Sequence, residues 1–243
     1  MPTSDEALAA LLALDEEELA TYCRAIEIDG AIAQVLRLKL DKGQELWVSR
    51  GGLMAYQGID WKLKVPGGAG KAVGRMLSGE GAALVRVTAH RDNADVVISS
   101  NQPGRLATWD LDRGPIVCTS GSFVAALGEV DIDVTMARSA GAMAFGGAGL
   151  FLQKLSGTGI AVVHGSGDFI PVELAAGEKL LVSTGNLAVF SASVAYGIRG
   201  TGGCLKAMFG GEGLFMTELT GPGWVMLQSL KKVPVAAKKG AAQ

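Results

Sequence analysis

The sequence predicts a mainly β protein built from three copies of one unit and preceded by a short helical extension. Composition gives the first reason. Glycine accounts for 35 of 243 residues and hydrophobic residues for 49%, which indicates many tight turns between short strands rather than disorder. Internal repetition gives the second reason, because two sequence blocks each occur three times, in one order and at closely matched spacing.

The first block joins G-x-G, a strand-like run, a Ser or Thr, a turn and a second apolar run. Its copies are GEGAALVRVTAHRDNADVVI, GAGLFLQKLSGTGIAVV and GEGLFMTELTGPGWVML, at 79–98, 147–163 and 211–227. The copies lie 68 and then 64 residues apart, and the longer AHRDNAD turn of the first copy accounts for the difference. A strand follows each G-x-G, whereas phosphate-binding glycines precede a helix, so these glycines are predicted to serve turns and close backbone approach. They are Gly79, Gly81, Gly147, Gly149, Gly211 and Gly213.

The second block occurs as GQELWVSRGGLMAY, GPIVCTSGSFVAA and GEKLLVSTGNLAVF, and an alternating apolar strand follows each copy. Period-two alternation predicts half-buried strands. Their apolar positions are Trp61, Leu63 and Val65, then Val130, Ile132 and Val134, then Val194, Tyr196 and Ile198. We therefore predict a single β domain over 31–230, with units at about 31–105, 106–170 and 171–235 packed around a pseudo-threefold axis.

The two ends of the chain differ from this domain in charge and pattern. Residues 1–30 carry eight acidic residues and one arginine, and 3–24 show helical spacing of apolar residues, so 1–30 is predicted to be an acidic helical extension. Its apolar stripe either packs on the β domain or contacts a partner or another subunit. The stripe consists of Leu8, Leu11, Leu12, Leu19 and Tyr22. Residues 231–243 carry four lysines and are predicted to form a flexible basic tail.

No residue set in the sequence predicts catalysis, cofactor binding or metal binding. HExxH, CxxC and G-x-S-x-G are absent, and the two histidines, His90 and His164, fall at non-equivalent positions of different units. His164 is expected at the end of a hairpin. The AHRDNAD turn offers oxygen ligands that could suit calcium, but it lacks the spacing of an EF-hand, and an Asx-type turn is the preferred interpretation.

The sequence also predicts a protein of the cytoplasm. Its three cysteines are odd in number and far apart, which suits buried thiols in a reducing compartment, and the acidic N-terminus does not resemble a signal peptide. The uncharged stretch 180–198 contains polar turn residues at its centre, so strand–turn–strand is predicted in preference to a membrane span. Peripheral membrane association remains compatible with the basic tail.

The repeated blocks resemble the AIM24 family, which is also described as TRAP-like after the tryptophan RNA-binding attenuation protein. GGLMAYQG, GEGAALVRV, GAGLFLQKLSGTG, GEKLLVSTGNLAVF and GEGLFMTELTGPGWVMLQS carry the resemblance, over about 31–230. It implies three TRAP-like double-stranded β-helix or sandwich units in one chain and no known catalytic residues. The eukaryotic members of the family that this sequence resembles are mitochondrial and are associated with inner-membrane organisation.

Two kinds of function follow from these observations. The first is a non-catalytic scaffold or assembly protein that forms homo-oligomers or binds a protein partner. The alternative is a small-ligand-binding or RNA-binding module of TRAP-like type. A near-neutral domain with 6% aromatic residues disfavours RNA, which needs cations and stacking surfaces.

Overall fold

The computed structural model describes residues 16–66, 83–136, 151–200 and 215–232. This part of the chain contains one helix, α1 (Glu16–Tyr22), and seventeen strands that pair antiparallel throughout. The first seven strands are β1 (Ala25–Asp29), β2 (Val35–Leu40), β3 (Glu45–Val48), β4 (Leu53–Gln57), β5 (Ile59–Lys64), β6 (Leu84–Ala89) and β7 (Ala94–Ser99). The next four are β8 (Gly104–Asp110), β9 (Ile116–Thr119), β10 (Phe123–Met136) and β11 (Phe151–Ser166). The last six are β12 (Phe169–Leu174), β13 (Lys179–Ser183), β14 (Leu187–Ser191), β15 (Ala195–Gly200), β16 (Phe215–Thr220) and β17 (Gly223–Gln228).

The first six-strand unit, β2 to β7, divides its strands between two sheets. In one sheet β7 lies between β2 and β4, and β1 adds to the outer side of β2. In the other sheet β6 lies between β3 and β5. Strands one, six and three of the unit therefore form one sheet, and strands two, five and four form the other.

The same pairing scheme recurs in the following two segments. In the third segment β17 lies between β12 and β14, and β16 lies between β13 and β15. In the second segment β8 and the start of β10 pair with the end of β11, while β9 and the end of β10 pair with its start. A register shift also recurs in each third strand, between Leu53 and Ala55, between Phe123 and Ala125, and between Leu187 and Val189. The TRAP-like form of each unit and a pseudo-threefold axis stay predictions.

Neighbouring units are joined by strand pairing. The second strand of the first unit, β3, pairs with the start of β10, which is the third strand of the second unit. In the same way β9 of the second unit pairs with β14 of the third unit. In the first and second units, the sheet of strands two, five and four thus continues into the sheet of strands one, six and three of the next unit.

Glycines allow β10 and β11 to bend without interrupting their pairing. Gly128 faces Gly159, with φ angles of +94° and +128°, and Gly157 has φ of +110°. A Cβ added to Gly159 would overlap the carbonyl oxygen of Leu127. The GTG segment was predicted to be a turn between two strands, but it lies inside β11, because positive-φ glycines bend the strand while their partners stay paired.

Three clusters of buried side chains fill the space between the sheets. The first unit packs around Leu36, Leu46 and Ile98, and this cluster extends into the second unit through Val124 and Val162. The central cluster includes Trp109, Ile116, Phe123, Ile132 and Phe169. The third cluster contains Phe190, Leu187, Leu219 and Val225. The clusters cross unit boundaries, so the described units pack on one another as well as sharing sheets.

Several sequence predictions differ from the observed structure. Residues 25–29, assigned to the helical extension, form β1, and within the predicted helix only 16–22 are described as helical. Strand β5, predicted to be half-buried, exposes 47% of Trp61 and 56% of Leu63, because the described chain places no element against that face.

The stretch 180–198 forms β13, a 3-10 turn, β14 and the start of β15, which confirms strand–turn–strand. At the start of the predicted tail, the Lys232 ammonium donates to the Ser122 hydroxyl at 3.0 Å.

Candidate functional site

The third strands of the three units differ sharply in exposure although they occupy equivalent positions in their units. Met54 of β4 is 65% exposed, whereas the matching residues Val124 and Ala188 are 2% and 0% exposed. Tyr56 is 52% exposed, whereas Phe190 at the equivalent position is 1% exposed. In the second and third units the preceding unit pairs with this strand and covers it. Among the described strands β4 pairs with β7 alone, so it forms an open edge of the described sheet.

Exposed apolar side chains of β4 continue onto β5. The indole nitrogen of Trp61 donates a hydrogen bond to the Tyr56 hydroxyl at 3.1 Å, which holds the two aromatic side chains together at the surface. We call Met54, Tyr56, Trp61 and Leu63 the β4–β5 patch. Contiguous exposed apolar residues of this kind mark interaction surfaces in soluble proteins.

A charged cleft lies between this unit and β10. It has a volume of about 480 Å³, and a smaller cavity of about 80 Å³ shares Glu45, Lys64 and Arg86 with it. The remaining charged residues of the larger cleft are Glu129 and Asp131. Two bases and three acids line the cleft, so it does not present a field of one sign to an anionic or cationic ligand.

An ion pair stabilises the wall of the cleft. The Arg86 guanidinium donates to Glu45 at 2.7 Å and lies 4.8 Å from the ring centre of Trp47, while the Thr88 hydroxyl donates to the other Glu45 oxygen at 2.6 Å. The hydrogen bond from Thr88, followed by Arg86, lowers the pKa of Glu45 below its ordinary value. Glu45 is therefore ionised at neutral pH with both oxygens occupied, which fits a structural role better than proton transfer.

His164 is buried inside β11 rather than at a hairpin end, because β11 extends through Ser166 and pairs there with β8. Neither ring nitrogen has a hydrogen-bond partner among the described residues. Burial and then the positive charge of Lys232 lower the pKa of His164 from 6.5 to about 4. The imidazole is therefore neutral at pH 7 and has no carboxylate in the described site to orient it for catalysis.

The altered pKa of His164 predicts acid sensitivity. The folded protein binds a proton at His164 less readily than the unfolded chain, so stability is complete above pH 6.5 and falls as the pH drops towards 4. The shift corresponds to a loss of about 3 kcal/mol in the free energy of unfolding. His164→Leu should retain stability at pH 7 and reduce this dependence in urea titrations at pH 7, 5.5 and 4.5. His90→Ala is the matched control, and a loss of acid sensitivity in that variant instead would contradict the prediction.

The AHRDNAD turn connects β6 to β7, and its side chains make protein contacts. Asp92 accepts from the Lys42 amide at 2.9 Å, and Asp95 pairs with Lys39 at 2.7 Å. Asn93 adopts a φ of +55°, as expected for a turn of this composition. In the ranges that the structure describes, no group of three or more His, Cys, Asp or Glu side chains could hold a metal ion.

The structure places two of the predicted interaction residues. Leu19 and Tyr22 of α1 pack against the cluster around Leu36, on the β domain itself. Leu8, Leu11 and Leu12 lie outside the described residues, so the contact of the whole stripe stays a prediction. The six predicted turn glycines, Gly79, Gly81, Gly147, Gly149, Gly211 and Gly213, lie outside the described residues as well.

Sequence reasoning missed the β4–β5 patch and the Glu45–Arg86 cluster. The alternation of Trp61 and Leu63 with lysines was visible, but it indicated burial.

The family model described as "Mitochondrial biogenesis AIM24" matches residues 26–230, more than four fifths of the sequence. The chain belongs to the AIM24 family.

A solved structure shares the fold of this AIM24 protein. Protein SPYM3_0169 from Streptococcus pyogenes has 22% sequence identity to this AIM24 family member and a TM-score of 0.71. The similarity covers 85% of this chain and 94% of that chain. No curated protein matches this sequence. The described part of this AIM24 protein has no helix that is long and apolar enough to cross a membrane.

Proposed function

We propose that this AIM24 family member is a non-catalytic β scaffold that assembles with other protein chains, including copies of itself. The observation that carries the proposal is the exposure of the β4–β5 patch, because its Met54 and Tyr56 occupy strand positions that are buried in the other two units. These third-strand positions are covered in the second and third units and exposed in the first. A partner that covers β4 explains why apolar residues are exposed there. The recurring strand pairing supports three tandem TRAP-like units, and such a series presents an edge of this kind at the third strand of its first unit.

The ionisable groups of the described residues favour a structural role. Glu45 is held as a carboxylate by Thr88 and Arg86, and His164 is buried and neutral. Burial raises the pKa of the Cys23 thiol to about 11, which makes it a poor nucleophile at neutral pH. We therefore favour assembly over catalysis.

The alternative, a small-ligand-binding or RNA-binding module, would use the charged cleft. Its mixture of acidic and basic residues offers little attraction to a phosphate backbone. Electrophoretic shift assays with RNA at 50 and 200 mM salt distinguish the alternatives. A strong shift that weakens with salt would favour RNA binding over the scaffold.

The buried thiols of Cys23 and Cys118 are compatible with a reducing compartment. We propose the cytoplasm as the location of this protein, with the mitochondrial setting of the family description as the alternative.

Native mass spectrometry and light scattering test the scaffold proposal. One chain has a mass of 25.0 kDa, and the purified protein should give a mass of at least two chains. Met54→Lys should raise the dissociation constant of the assembly at least tenfold, because a charge placed at the β4–β5 patch must lose its water when the patch is covered.

Ile32→Lys is the matched control for this experiment. Ile32 is 82% exposed and lies outside the β4–β5 patch, so the same change there should leave the assembly intact. A single-chain mass at every concentration, together with no partner retained by the protein, would contradict the scaffold proposal.

A further inference from the structure

The charged cleft opens where β10 separates from β3. The two strands pair as far as Leu127 and Leu46, and β10 then bends at Gly128, whose φ is +94°. Beyond the bend β10 stays paired with β11 through Met136 but no longer pairs with β3. The gap between the separated strands is the cleft of about 480 Å³. A cleft of this volume suits a small organic molecule.

One wall of the cleft carries both of its cations. Arg86 of β6 and Lys64 of β5 line this wall, together with Trp47 of β3. The Arg86 side chain is only 18% exposed, and its guanidinium donates from Nη2 to Glu45. Its Nη1 is buried and has no hydrogen-bond partner among the described residues. Because a buried cationic N–H group without an acceptor is unfavourable, we expect a bound acceptor at this atom.

The opposite wall carries two carboxylates. Glu129 and Asp131 lie on β10 beyond the bend and line the same cleft. The third acid of the cleft, Glu45, is already occupied by Arg86 and Thr88. One wall therefore offers N–H donors to an anion, and the other offers carboxylates to a cation. A ligand with a single charge is attracted to one wall and repelled by the other.

We propose that the cleft binds a small zwitterion in which a carboxylate and an ammonium are separated by an apolar stem. The carboxylate of the ligand accepts hydrogen bonds from Arg86 Nη1 and from the Lys64 ammonium. Its ammonium donates to Glu129 and Asp131, and its stem lies against Trp47. ω-Amino acids and short peptides have this chemistry. The inference goes beyond the scaffold proposal and does not depend on it, because the cleft and the β4–β5 patch have no residue in common.

Other small ligands fit the charges of the cleft less well. A phosphate bound at Arg86 would bring up to two negative charges close to the carboxylates of Glu129 and Asp131. A divalent metal ion would be repelled by Arg86 and Lys64. Among the residues that the structure describes, no group of three or more His, Cys, Asp or Glu side chains could hold such an ion. The paired opposite charges therefore favour a zwitterion.

Ligand-observed NMR titration of the full chain tests the charge pattern. The probes are 4-aminobutyrate, 6-aminohexanoate and 8-aminooctanoate, each compared with the fatty acid and the alkylamine of the same length. The series varies the length of the stem, and each comparison removes one charged end. We expect the preferred ω-amino acid to bind about tenfold more tightly than either of its single-charge analogues, because each charged end adds hydrogen bonds to charged groups.

Substitutions on the two walls test the orientation of the ligand. Lys64→Gln and Arg86→Lys should each weaken the binding of the preferred ω-amino acid about tenfold. Arg86→Lys keeps a cation beside Glu45 but lacks the second nitrogen that would hold the carboxylate, and thermal unfolding checks that this variant is folded. Glu129→Gln should weaken the ω-amino acid and strengthen the fatty acid of the same length, because it removes a negative charge from the cleft.

Lys42→Gln and Glu173→Gln are the matched controls, because both residues are exposed and neither lines the cleft. They should leave every affinity unchanged. Binding of the ω-amino acids no tighter than that of their single-charge analogues would overturn the proposal. So would the absence of binding by every probe, in which case ordered water or another segment of the chain satisfies Arg86 Nη1. The mass of the protein in the same samples reports on the scaffold proposal separately.

Discussion

Phe190→Ala is expected to lower the free energy of unfolding by about 4 kcal/mol. The Phe190 side chain is 1% exposed and belongs to the cluster that includes Leu187, Leu219 and Val225. Its ring lies 5.8 Å from that of Tyr196. Removal of the ring leaves a cavity between the sheet of β14 and the sheet of β15. The cavity cannot close unless β14 moves, and that movement would disturb its pairing with β9 and β17. Urea titration followed by circular dichroism measures the effect.

Tyr56→Ala is the matched control for Phe190→Ala, because it removes a ring from the equivalent position of the first unit. Tyr56 is half exposed, and its loss removes the hydrogen bond from Trp61 but creates no buried cavity. At concentrations where the mass is that of one chain, we expect a loss below about 1 kcal/mol. At higher concentrations the variant should associate more weakly than the natural protein. Equal losses from the two variants in the single-chain form would contradict the difference in burial.

Gly159→Ala is expected to cost a similar amount, about 4 kcal/mol, for a different reason. Gly159 has a φ of +128°, which strains any L-residue, and an added Cβ would overlap the carbonyl oxygen of Leu127 on the paired strand. Strain and overpacking each cost about 1–3 kcal/mol. The backbone of β10 would have to move away from β11, and this movement would disrupt the pairing of the two strands in the central sheet.

Gly114→Ala separates these two contributions. Gly114 has a nearly identical φ of +131°, but nothing lies within 4 Å of an added Cβ. This variant should carry the conformational strain alone, about 2 kcal/mol. The denaturation midpoints of both variants give the comparison. The argument from close backbone approach would be wrong if Gly114→Ala destabilised the protein as much as Gly159→Ala.

The sequence predicted the strand content and the three-unit organisation because both leave local signatures. Alternating apolar residues mark strands, and the blocks that begin at Gly43, Gly114 and Gly177 each gave the second and third strands of a unit. Prediction from the sequence was less successful where strand pairing overrides local turn signals. Gly157 and Gly159 indicated a turn, yet β11 continues through them because β10 bends with it at Gly128.

The candidate site was beyond the reach of sequence reasoning. Trp61 and Leu63 follow the alternation of a half-buried strand, and no local feature shows that none of the described elements covers their face. His164 was assigned to a hairpin end because GSG follows it, whereas its burial results from the pairing of β8 with β11. Contacts between residues distant in sequence cannot be inferred from periodicity alone.

By itself, the sequence determined that two strand-forming blocks each recur three times, because hydrophobic alternation and glycine placement act over a few residues. Only the tertiary structure decided which copies of a strand are covered. Tyr56 and Phe190 stand at the same point of the same block, and one is half exposed while the other is buried. The physical reason is that a third strand is buried where a strand of a preceding unit pairs with it, and no described strand pairs with β4 in this way.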